Sequence, residues 1–322
     1  MRLLKLVPDN TNIDFLKWRF WAMGLSIALI IASVALVAVR GLNFGIDFEG
    51  GQLIRASFQQ PVEIDELRSS IEPLGLGEAT IQQFGSPRDV SIRLPLPEGG
   101  EEAANRAADS VKRAIMAAHP DARFDAVETV SGKVSGELIR TGALAIGLAM
   151  LAIAIYIWIR FEWQFGVGAL FALFHDVVLT MGFFALTQLE FNLNVVAAIL
   201  TIVGYSLNDT IVVYDRIREN LRKWRKMDIT SLLNLSVNET LSRTIVTSLS
   251  MVIALGALLA FGGDVLFGFT AAMLLGIFVG TFSSIYVGAP ILIWLRVSSQ
   301  SFVPAETTSG AERGGRRERP GA

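Results

Sequence analysis

Five side chains that could take part in a proton relay, four of them ionisable and one an amide, lie in or at the ends of stretches that are otherwise apolar. They are His175, Asp176, Asn208, Asp209 and Arg243. An ionisable group in a hydrocarbon environment is expensive, and by default it marks a functional site with a partner nearby. Carboxylates, an imidazole and a guanidinium can take up, hold and release a proton as their surroundings change. These residue types therefore predict a proton relay rather than covalent catalysis.

Asp209 is the hardest of these residues to explain by packing. It lies roughly four residues, or about 6 Å of helix, before the inner end of its apolar stretch, so its carboxylate cannot easily reach free water. Arg243 has a similar predicted depth, and its long side chain is expected to reach that carboxylate. Two other interpretations stay open. Asp209 can be a neutral acid bonded to Asn208 or a neighbouring helix, and Arg243 can be an anchor that extends to the membrane surface.

The other charged positions are more ambiguous. His175 and Asp176 stand about halfway along their apolar stretch, and they either extend the proton path or form a tethered polar pair. Asp215, beside Arg216, has the character of a boundary charge at the end of a span.

Composition excludes several other chemistries. The chain has no cysteine and two histidines, His119 and His175, so disulfides, thiolate metal sites and an HExxH motif are excluded. It has no phosphate-binding glycine loop and no GxSG motif, which leaves ATP hydrolysis and intramembrane serine proteolysis unsupported. We therefore expect no enzymatic activity, no cofactor, no metal and no nucleic-acid partner.

Small residues in the last apolar stretch predict close helix packing. Gly276 and Gly280 have the GxxxG spacing, and Ser283 and Ser284 follow them. Such residues let helix backbones approach closely and form hydroxyl bonds between helices. The motif is weak on its own, and packing within the chain is favoured over a seam between copies.

The elements that must position these groups are long apolar segments. Hydrophobic residues make up 52% of the chain and the mean hydropathy is +0.49. A bilayer core about 30 Å thick needs roughly 20 apolar residues as helix. The sequence predicts a polytopic α-helical membrane protein with a retained first anchor and a bend near Pro290 in the overlong last span. The six predicted spans are 20–39, 141–159, 165–186, 195–213, 244–261 and 266–295.

The distribution of Lys and Arg predicts the orientation. These residues collect before the first span, after the second, between the fourth and fifth, and after the sixth. The remaining links, at 188–192 and 262–264, carry none. Since cytoplasmic loops are enriched in Lys and Arg, both termini are predicted to be cytoplasmic: residues 1–19, and a disordered tail over 297–322. The segment 41–137, with nine basic and sixteen acidic residues, is predicted to lie outside.

Residues 40–136 are predicted to form a compact α+β domain outside the membrane, between the first and second spans. Strand patterns cover 52–58, 80–84, 90–96 and 122–130, and helix patterns cover 61–73 and 101–118. The order β-α-β-β-α-β is typical of a ferredoxin-like unit. Small and polar residues at 131–136 predict a short hinge into a five-helix bundle over 137–296.

Five local sequences together resemble the SecD/SecF family, and within it SecF. They are GLNFGIDFEGG at 41–51, LFHDV at 173–177, SLNDTIVVYDRIREN at 206–220, NETLSRT at 238–244 and GTFSSI at 280–285. The third is the most specific. Glu239 departs from the family pattern, which often has Gln there, and adds a possible charge beside the relay. The residues singled out as family-motif positions are Gly45, Asp47, Gly50, Gly51, Asp215, Arg216 and Ser242.

The resemblance implies a protein of the bacterial inner membrane with its α+β domain in the periplasm. SecF proteins pair with SecD and with the small protein YajC, and associate with the SecYEG channel. They act on a preprotein after the motor SecA has pushed it in, using the proton gradient to complete its release. By this similarity Asp209 and Arg243 fall on the proton path, with an acidic residue of SecD completing it.

Two rival interpretations remain. The chain could be half of another proton-coupled exporter of the resistance–nodulation–division type, although such pumps usually carry two repeats and two large outside domains in one chain. It could also be a passive membrane scaffold without a proton path. A relay requires the Asp209 and Arg243 charges in their places, whereas a scaffold tolerates their reversal.

Overall fold

The computed structural model describes residues 8, 11–84, 86–125 and 127–297, so the predicted tail at 298–322 lies outside the described residues. The first span begins with a 3-10 turn, Phe15–Trp18, and continues as helix α1, Arg19–Arg40. Most of its apolar side chains point away from the protein. This is expected of a helix whose outer surface is covered by lipid or by another subunit.

A small antiparallel sheet with helices follows the first span. Its strand order is β2-β3-β1-β4, with β5 also paired to β1. The elements are α2 (Ile46–Glu49), β1 (Gly51–Ser57), α3 (Ile64–Ile71), β2 (Thr80–Phe84), β3 (Ser86–Leu94), α4 (Gly100–Ala118), β4 (Arg123–Phe124) and β5 (Glu128–Val130). From β1 onward the sequence of elements is β-α-β-β-α-β with a short extra strand, because the stretch predicted as one strand at 122–130 is broken into two pieces.

The core of this domain comes from one face of the sheet and the apolar stripes of two helices. Ile54 of β1 and Ile92 of β3 are partners across the sheet and are fully buried. Val111 and Ile115 of α4, four residues apart on one helix face, are fully buried in the same cluster. The alternating strand pattern and the helical spacing read from the sequence therefore produce this core.

Five further helical segments, with the first span, give six helices long and apolar enough to cross a membrane. They are α5 (Gly132–Arg160), α6 (Trp163–Thr187), α7 (Leu193–Lys223), α8 (Ile229–Phe261), and a last span made of α9 (Phe267–Ser283), a π-helix (Ser284–Gly288) and α10 (Ala289–Trp294). The chain is thus a multi-pass membrane protein in which α6, α7 and the last span are central, about half buried, while α5 and α8 expose most of their surface.

The predicted hinge at 131–136 is wrong in its extent. The side chain of Ser131 accepts a hydrogen bond from the Val134 N–H and caps α5, so residues 132–136 are the first turns of that helix. The domain is therefore joined to the bundle by continuous helix on this side. The fourth and fifth spans also continue as helix well beyond their apolar parts, since Asp228 caps α8 at its first turn.

The last span departs from regular α-helix at the π-helix Ser284–Gly288, just before Pro290. Proline has no N–H to donate and its ring crowds the preceding turn, so an α-helix cannot continue regularly through it. The Tyr214 hydroxyl of α7 donates to the Gly288 carbonyl at 3.0 Å and satisfies this irregular backbone from the side. Single π turns of this kind often mark functional positions.

Candidate functional site in the membrane bundle

Asp209 lies on α7 facing α8 and the start of the π-helix, and it is buried. Its Oδ1 accepts a hydrogen bond from the Thr244 hydroxyl at 2.6 Å. Its Oδ2 accepts one from the Ser284 hydroxyl at 2.7 Å. Both carboxyl oxygens are therefore held by hydroxyls from two other spans, an arrangement that can accommodate either the ionised or the protonated acid.

Asp176 of α6 forms a second, fully buried carboxylate site. One oxygen accepts hydrogen bonds from Ser206 of α7 and from Ser283, the latter at 2.9 Å. The other lies 2.9 Å from Nδ1 of His175. The ring of His175 stacks on Phe282, and its Nε2 has no hydrogen-bond partner among the described residues. His175 and Asp176 are thus bonded to each other and joined to two further spans.

The two carboxylate sites are linked through consecutive serines. Ser283, the last residue of α9, donates to Asp176, while Ser284, the first residue of the π-helix, donates to Asp209. On α7, Ser206 and Asp209 are three residues apart and share one helix face. A shift of the last span at this junction must therefore alter the hydrogen bonding of both acids.

Gly276 and Gly280 make this close approach possible. A Cβ atom at Gly276 would lie 2.4 Å from Cγ1 of Ile202 on α7, and one at Gly280 would lie 3.1 Å from Cβ of Ser206. The GxxxG spacing thus packs α9 against α7 within the chain. Ser283 and Ser284, first interpreted as packing residues, have the additional role of carboxylate donors.

Among the described residues Arg243 and Asp209 form no ion pair, so the predicted reach of Arg243 to this carboxylate stays a prediction. Thr244 occupies the position facing Asp209, and consecutive helical residues point about 100° apart, so Arg243 is exposed. Asn208 and Ser242 are exposed as well, and Asn208 is not brought into either carboxylate site.

A group of three hydroxyls, of which those of Tyr205 and Ser248 were not predicted from the sequence, lies one turn away from Asp209. The Tyr205 hydroxyl donates to Ser248 at 3.2 Å, and the Ser248 and Thr281 hydroxyls are 2.9 Å apart. Tyr205 lies four residues before Asp209 on α7, and Ser248 lies four residues after Thr244 on α8. Thr281 lies three residues before Ser284 on the last span. That spacing from Asp209, Thr244 and Ser284 was the available signal, but it becomes meaningful only once the three helices are aligned.

At the other end of α7 and α8, the motif residues form surface ion pairs. Asp215 accepts two hydrogen bonds from Arg160, at 2.9 and 3.0 Å. Arg216 donates to Glu239 at 2.7 Å, and Glu239 also accepts from Asn220. Glu239 is therefore engaged in an ion pair between α7 and α8, and Asp215 is a partly exposed charge paired with Arg160.

The GLNFGIDFEGG segment connects the sheet domain to the bundle. The Gly45 N–H donates to the Phe191 carbonyl at 2.9 Å, and the Phe191 N–H donates to the Asn43 carbonyl at 2.7 Å. Asp47 accepts a hydrogen bond from the Leu193 N–H at 2.9 Å and so caps the start of α7 from a different segment. We call this contact between residues 41–47 and 188–193 the outer latch.

Gly51 of this segment is required by its backbone conformation and by a close backbone contact, whereas a side chain at Gly45 would meet chiefly the movable end of Glu190. A Cβ at Gly45 would lie 2.6 Å from Oε1 of Glu190. Gly51 has φ +122°, and a Cβ there would lie 2.7 Å from the Leu94 carbonyl oxygen. Arg93 of β3 completes the latch from the domain side, because it donates to the Phe44 carbonyl and to Asn43 Oδ1. The latch therefore joins sheet, linker and bundle in one hydrogen-bonded network.

Glu190 is a largely buried carboxyl of the outer latch, in addition to Asp47. Burial raises the pKa of its carboxyl above the ordinary value, against the attraction of Arg93 and Arg55. Glu128 and Asp47 add to this rise. A raised pKa means that the folded protein holds this proton up to a higher pH than the unfolded chain does.

Glu190→Gln is therefore expected to stabilise the protein at neutral pH. With a raised pKa, ionisation of Glu190 costs stability as the pH rises above the unfolded value of about 4.3, and the amide removes that cost. The gain in thermal midpoint should be full near pH 8 and should vanish toward pH 4. Thermal unfolding of the purified protein across this range measures it, with the exposed Glu102→Gln as control. A lower midpoint for Glu190→Gln at pH 8 would show that attraction to Arg93 dominates instead.

Comparison with known proteins places this geometry in a family. Residues 35–62 match the SecD/SecF GG motif, and residues 110–298 match the C-terminal region of the protein export membrane proteins SecD and SecF. The chain is similar to the protein translocase subunit SecF of Rhodobacter capsulatus, with 45% identity covering 91% of each chain. It is also similar to that of Rickettsia akari, with 43% identity covering 90% of this chain and 94% of the relative.

Two solved structures share the fold. A crystal structure of SecDF, a translocon-associated membrane protein from Thermus thermophilus, has a TM-score of 0.81 and 36% identity over 89% of this chain. A structure of SecDF in a super-membrane-facing form has a TM-score of 0.67 and 34% identity over 92% of this chain. This chain spans 39% and 40% of those two chains, respectively. The sequence motifs, the bundle and the relatives agree, and the chain belongs to the SecF proteins of the SecD/SecF family of protein export membrane proteins.

Proposed function

We propose that this protein works with SecD to complete preprotein translocation across the bacterial inner membrane, driven by the proton gradient after the SecA-dependent step. The observation that carries the proposal is the pair of buried carboxylates, Asp209 and Asp176, linked by Ser283 and Ser284. Buried charges that serve only packing are costly, whereas a buried acid that can change its protonation has a use in coupling. We expect no covalent catalysis by the chain.

Protonation of Asp209 gives a direct route from proton transfer to movement. The ionised acid accepts from the Thr244 and Ser284 hydroxyls. Once protonated, one of its oxygens becomes a donor, so one of these hydroxyls must turn or move away. Ser284 is the first residue of the π-helix, and a change there displaces Ser283 and disturbs Asp176. The last span is thus proposed as the element that responds to the proton.

His175 and Asp176 are proposed as the second station of this relay. They are fully buried in three packed spans, which supports a role beyond that of a tethered polar pair. Asn208 is exposed, and we propose it only as a neighbour of the relay that contacts neither carboxylate. The energy is adequate, since one charge crossing about 100 mV releases roughly 2.3 kcal/mol, enough to bias a two-state movement severalfold.

The link between the stations predicts a specific effect of Ser283→Ala. Loss of a hydrogen bond to a charged group costs about 1.5–3 kcal/mol, so proton-driven translocation should fall by about tenfold or more. The pH dependence of the rate should also change, which a purely structural role would not produce. Ser250→Ala removes an exposed hydroxyl from α8 and should alter neither quantity. Equal behaviour of the two variants would rule out the serine link.

Arg243 is proposed to face SecD. It is exposed on the membrane-spanning helix α8, and an unpaired guanidinium in lipid is costly. An acidic side chain of SecD at this depth would neutralise Arg243 and lie beside Asp209, completing the proton path. YajC and the SecYEG channel are further proposed partners, and the bilayer surrounds the remaining surfaces of the spans.

The orientation follows from the basic residues, with both termini in the cytoplasm and residues 40–136 in the periplasm as a ferredoxin-like domain. The observed strand order supports that fold class. The outer latch is proposed to transmit movement of the bundle to this domain, which contacts the emerging preprotein. Strand β2 is at an edge of the sheet and could hold an extended chain by strand addition.

The proposal is tested in inner-membrane vesicles that contain SecD but lack this protein. Added back, the wild-type chain should copurify with SecD in mild detergent and restore the part of preprotein translocation that an uncoupler abolishes. A variant with the Asp209 and Arg243 charges reversed should restore copurification but not the uncoupler-sensitive part. If the reversed variant works as well as wild type, the scaffold interpretation is favoured. Export of small solutes without any effect on preproteins would instead favour the exporter interpretation.

A further inference from the structure

A charged pocket lies at the end of the bundle opposite the sheet domain, between the end of α5 and the last turns of α7. Its volume is about 520 Å³, within the range of roughly 300–1,000 Å³ typical of small-molecule sites. The residues that line it are Arg160, Asp215, Arg218, Glu219, Arg222 and Lys223. Neither the relay nor the outer latch uses this pocket.

Ion pairs leave a positive surplus in the pocket. Arg160 holds both oxygens of Asp215, while Glu219 is bonded by Arg216 at 2.6 Å. Arg218 is paired with Glu162, with Nε 3.2 Å from a carboxylate oxygen. Among the residues that the structure describes, neither Arg222 nor Lys223 has a carboxylate within ion-pair distance. These two cations therefore give the pocket its free positive charge.

The length of α7 places the pocket at the level expected for lipid headgroups. Along α7, the segment from Arg218 to Lys223 is about 37 to 45 Å from Leu193 at 1.5 Å per residue. The hydrocarbon core is about 30 Å thick, and about 40–45 Å with the headgroup regions. Trp158 and Trp163, 76% and 57% exposed, flank the same end of the bundle. Exposed tryptophans are enriched at this level of a membrane.

We propose that this pocket binds the phosphodiester headgroup of an anionic phospholipid, with Arg222 and Lys223 contacting the phosphate. Arg presents paired donors that match phosphate oxygens, and Lys adds a point charge. The exposed apolar side chains of Trp158 and Ile159 beside the pocket provide a surface for the acyl chains. Free phosphate shares the headgroup chemistry, but it makes no use of this apolar surface.

The test measures binding of phosphatidylglycerol to the purified full-length protein in detergent micelles that contain phosphatidylcholine. Arg222→Gln with Lys223→Gln should weaken the affinity for phosphatidylglycerol by about thirtyfold, or about fivefold for each lost cation. Arg225→Gln with Lys226→Gln removes the same charge just beyond the pocket and should weaken it much less. The charge-conserving pair Arg222→Lys with Lys223→Arg should retain most of the affinity, which shows that loss in the first variant is not misfolding.

Three outcomes would overturn the proposal. The first is equal loss in the two charge-removing pairs, which would mean a general attraction of this basic end to anionic membranes. The second is complete competition by inorganic phosphate at millimolar concentration, which would mean a site for free phosphate. The third is equal affinity of the wild-type protein for phosphatidylglycerol and for phosphatidylcholine. None of these measurements depends on proton coupling, so the proposed function is tested separately.

Discussion

Asp209→Asn is expected to reduce translocation to the level seen when the proton gradient is collapsed, while the SecA- and ATP-driven step continues. The amide cannot exchange a proton, but it has nearly the same shape as the acid. Its oxygen can accept from one hydroxyl and its nitrogen can donate to the other, so Thr244 and Ser284 keep partners. The thermal midpoint should therefore change little, in contrast to the activity.

The matched control for this variant is Glu239→Gln. It also converts a carboxylate to an amide, on α8, but Glu239 is paired with Arg216 and lies outside the carboxylate sites. A partly exposed ion pair of this kind contributes about 0–1 kcal/mol. Proton-dependent translocation should remain near the wild-type level. If Asp209→Asn retains the uncoupler-sensitive component to the same extent as Glu239→Gln, Asp209 has no part in proton coupling.

Gly276→Val is the second change with a large expected effect. The new Cβ would lie 2.4 to 2.8 Å from three side-chain atoms of Ile202, so α9 must move away from α7. Overpacking of a tight core costs typically about 1–3 kcal/mol. The same displacement separates Ser283 and Ser284 from their carboxylates. Both the thermal midpoint and proton-driven translocation should therefore fall.

Gly256→Val serves as the control because a Cβ at Gly256, on α8, meets no atom within 4 Å. It should leave stability and translocation close to wild type. Gly276→Ala gives an intermediate step in case the valine variant cannot be purified, and it should show a smaller loss of both quantities. Wild-type translocation in Gly276→Val would contradict the view that the α7–α9 approach holds the carboxylate sites together.

Much of the architecture could be predicted from the sequence because it depends on local pattern. The spans follow from apolar runs longer than a bilayer, and the elements of the sheet domain follow from alternation and helical spacing. The single long strand predicted over 122–130 and the hinge at 131–136 were the exceptions. At the predicted hinge, the Ser131 side chain caps α5, so the helix begins at Gly132 although the segment contains two glycines, Gly132 and Gly136.

The site was only partly predictable because its contacts depend on helix rotation. Asp209 and Asp176 could be selected as candidate site residues from the sequence, because burying a charge in an apolar stretch is costly. The sequence could not show that Thr244, rather than Arg243, faces Asp209, since a rotation of one residue decides between them. It also could not show that a π turn directs consecutive serines to two different acids. The outer latch was visible as a motif, but its partner loop at 188–193 carries no comparable signal.

Exchange of a proton by Asp209 is most directly measured by infrared difference spectroscopy of the SecD-bound protein after a pH jump. A protonated carboxyl has a carbonyl band that the ionised form and the amide lack. We expect this band to appear and disappear with pH in the wild-type protein and in Glu239→Gln, and its main component to be missing in Asp209→Asn. An unchanged band in Asp209→Asn would mean that Asp209 keeps one protonation state throughout, and no proton route could then pass through it.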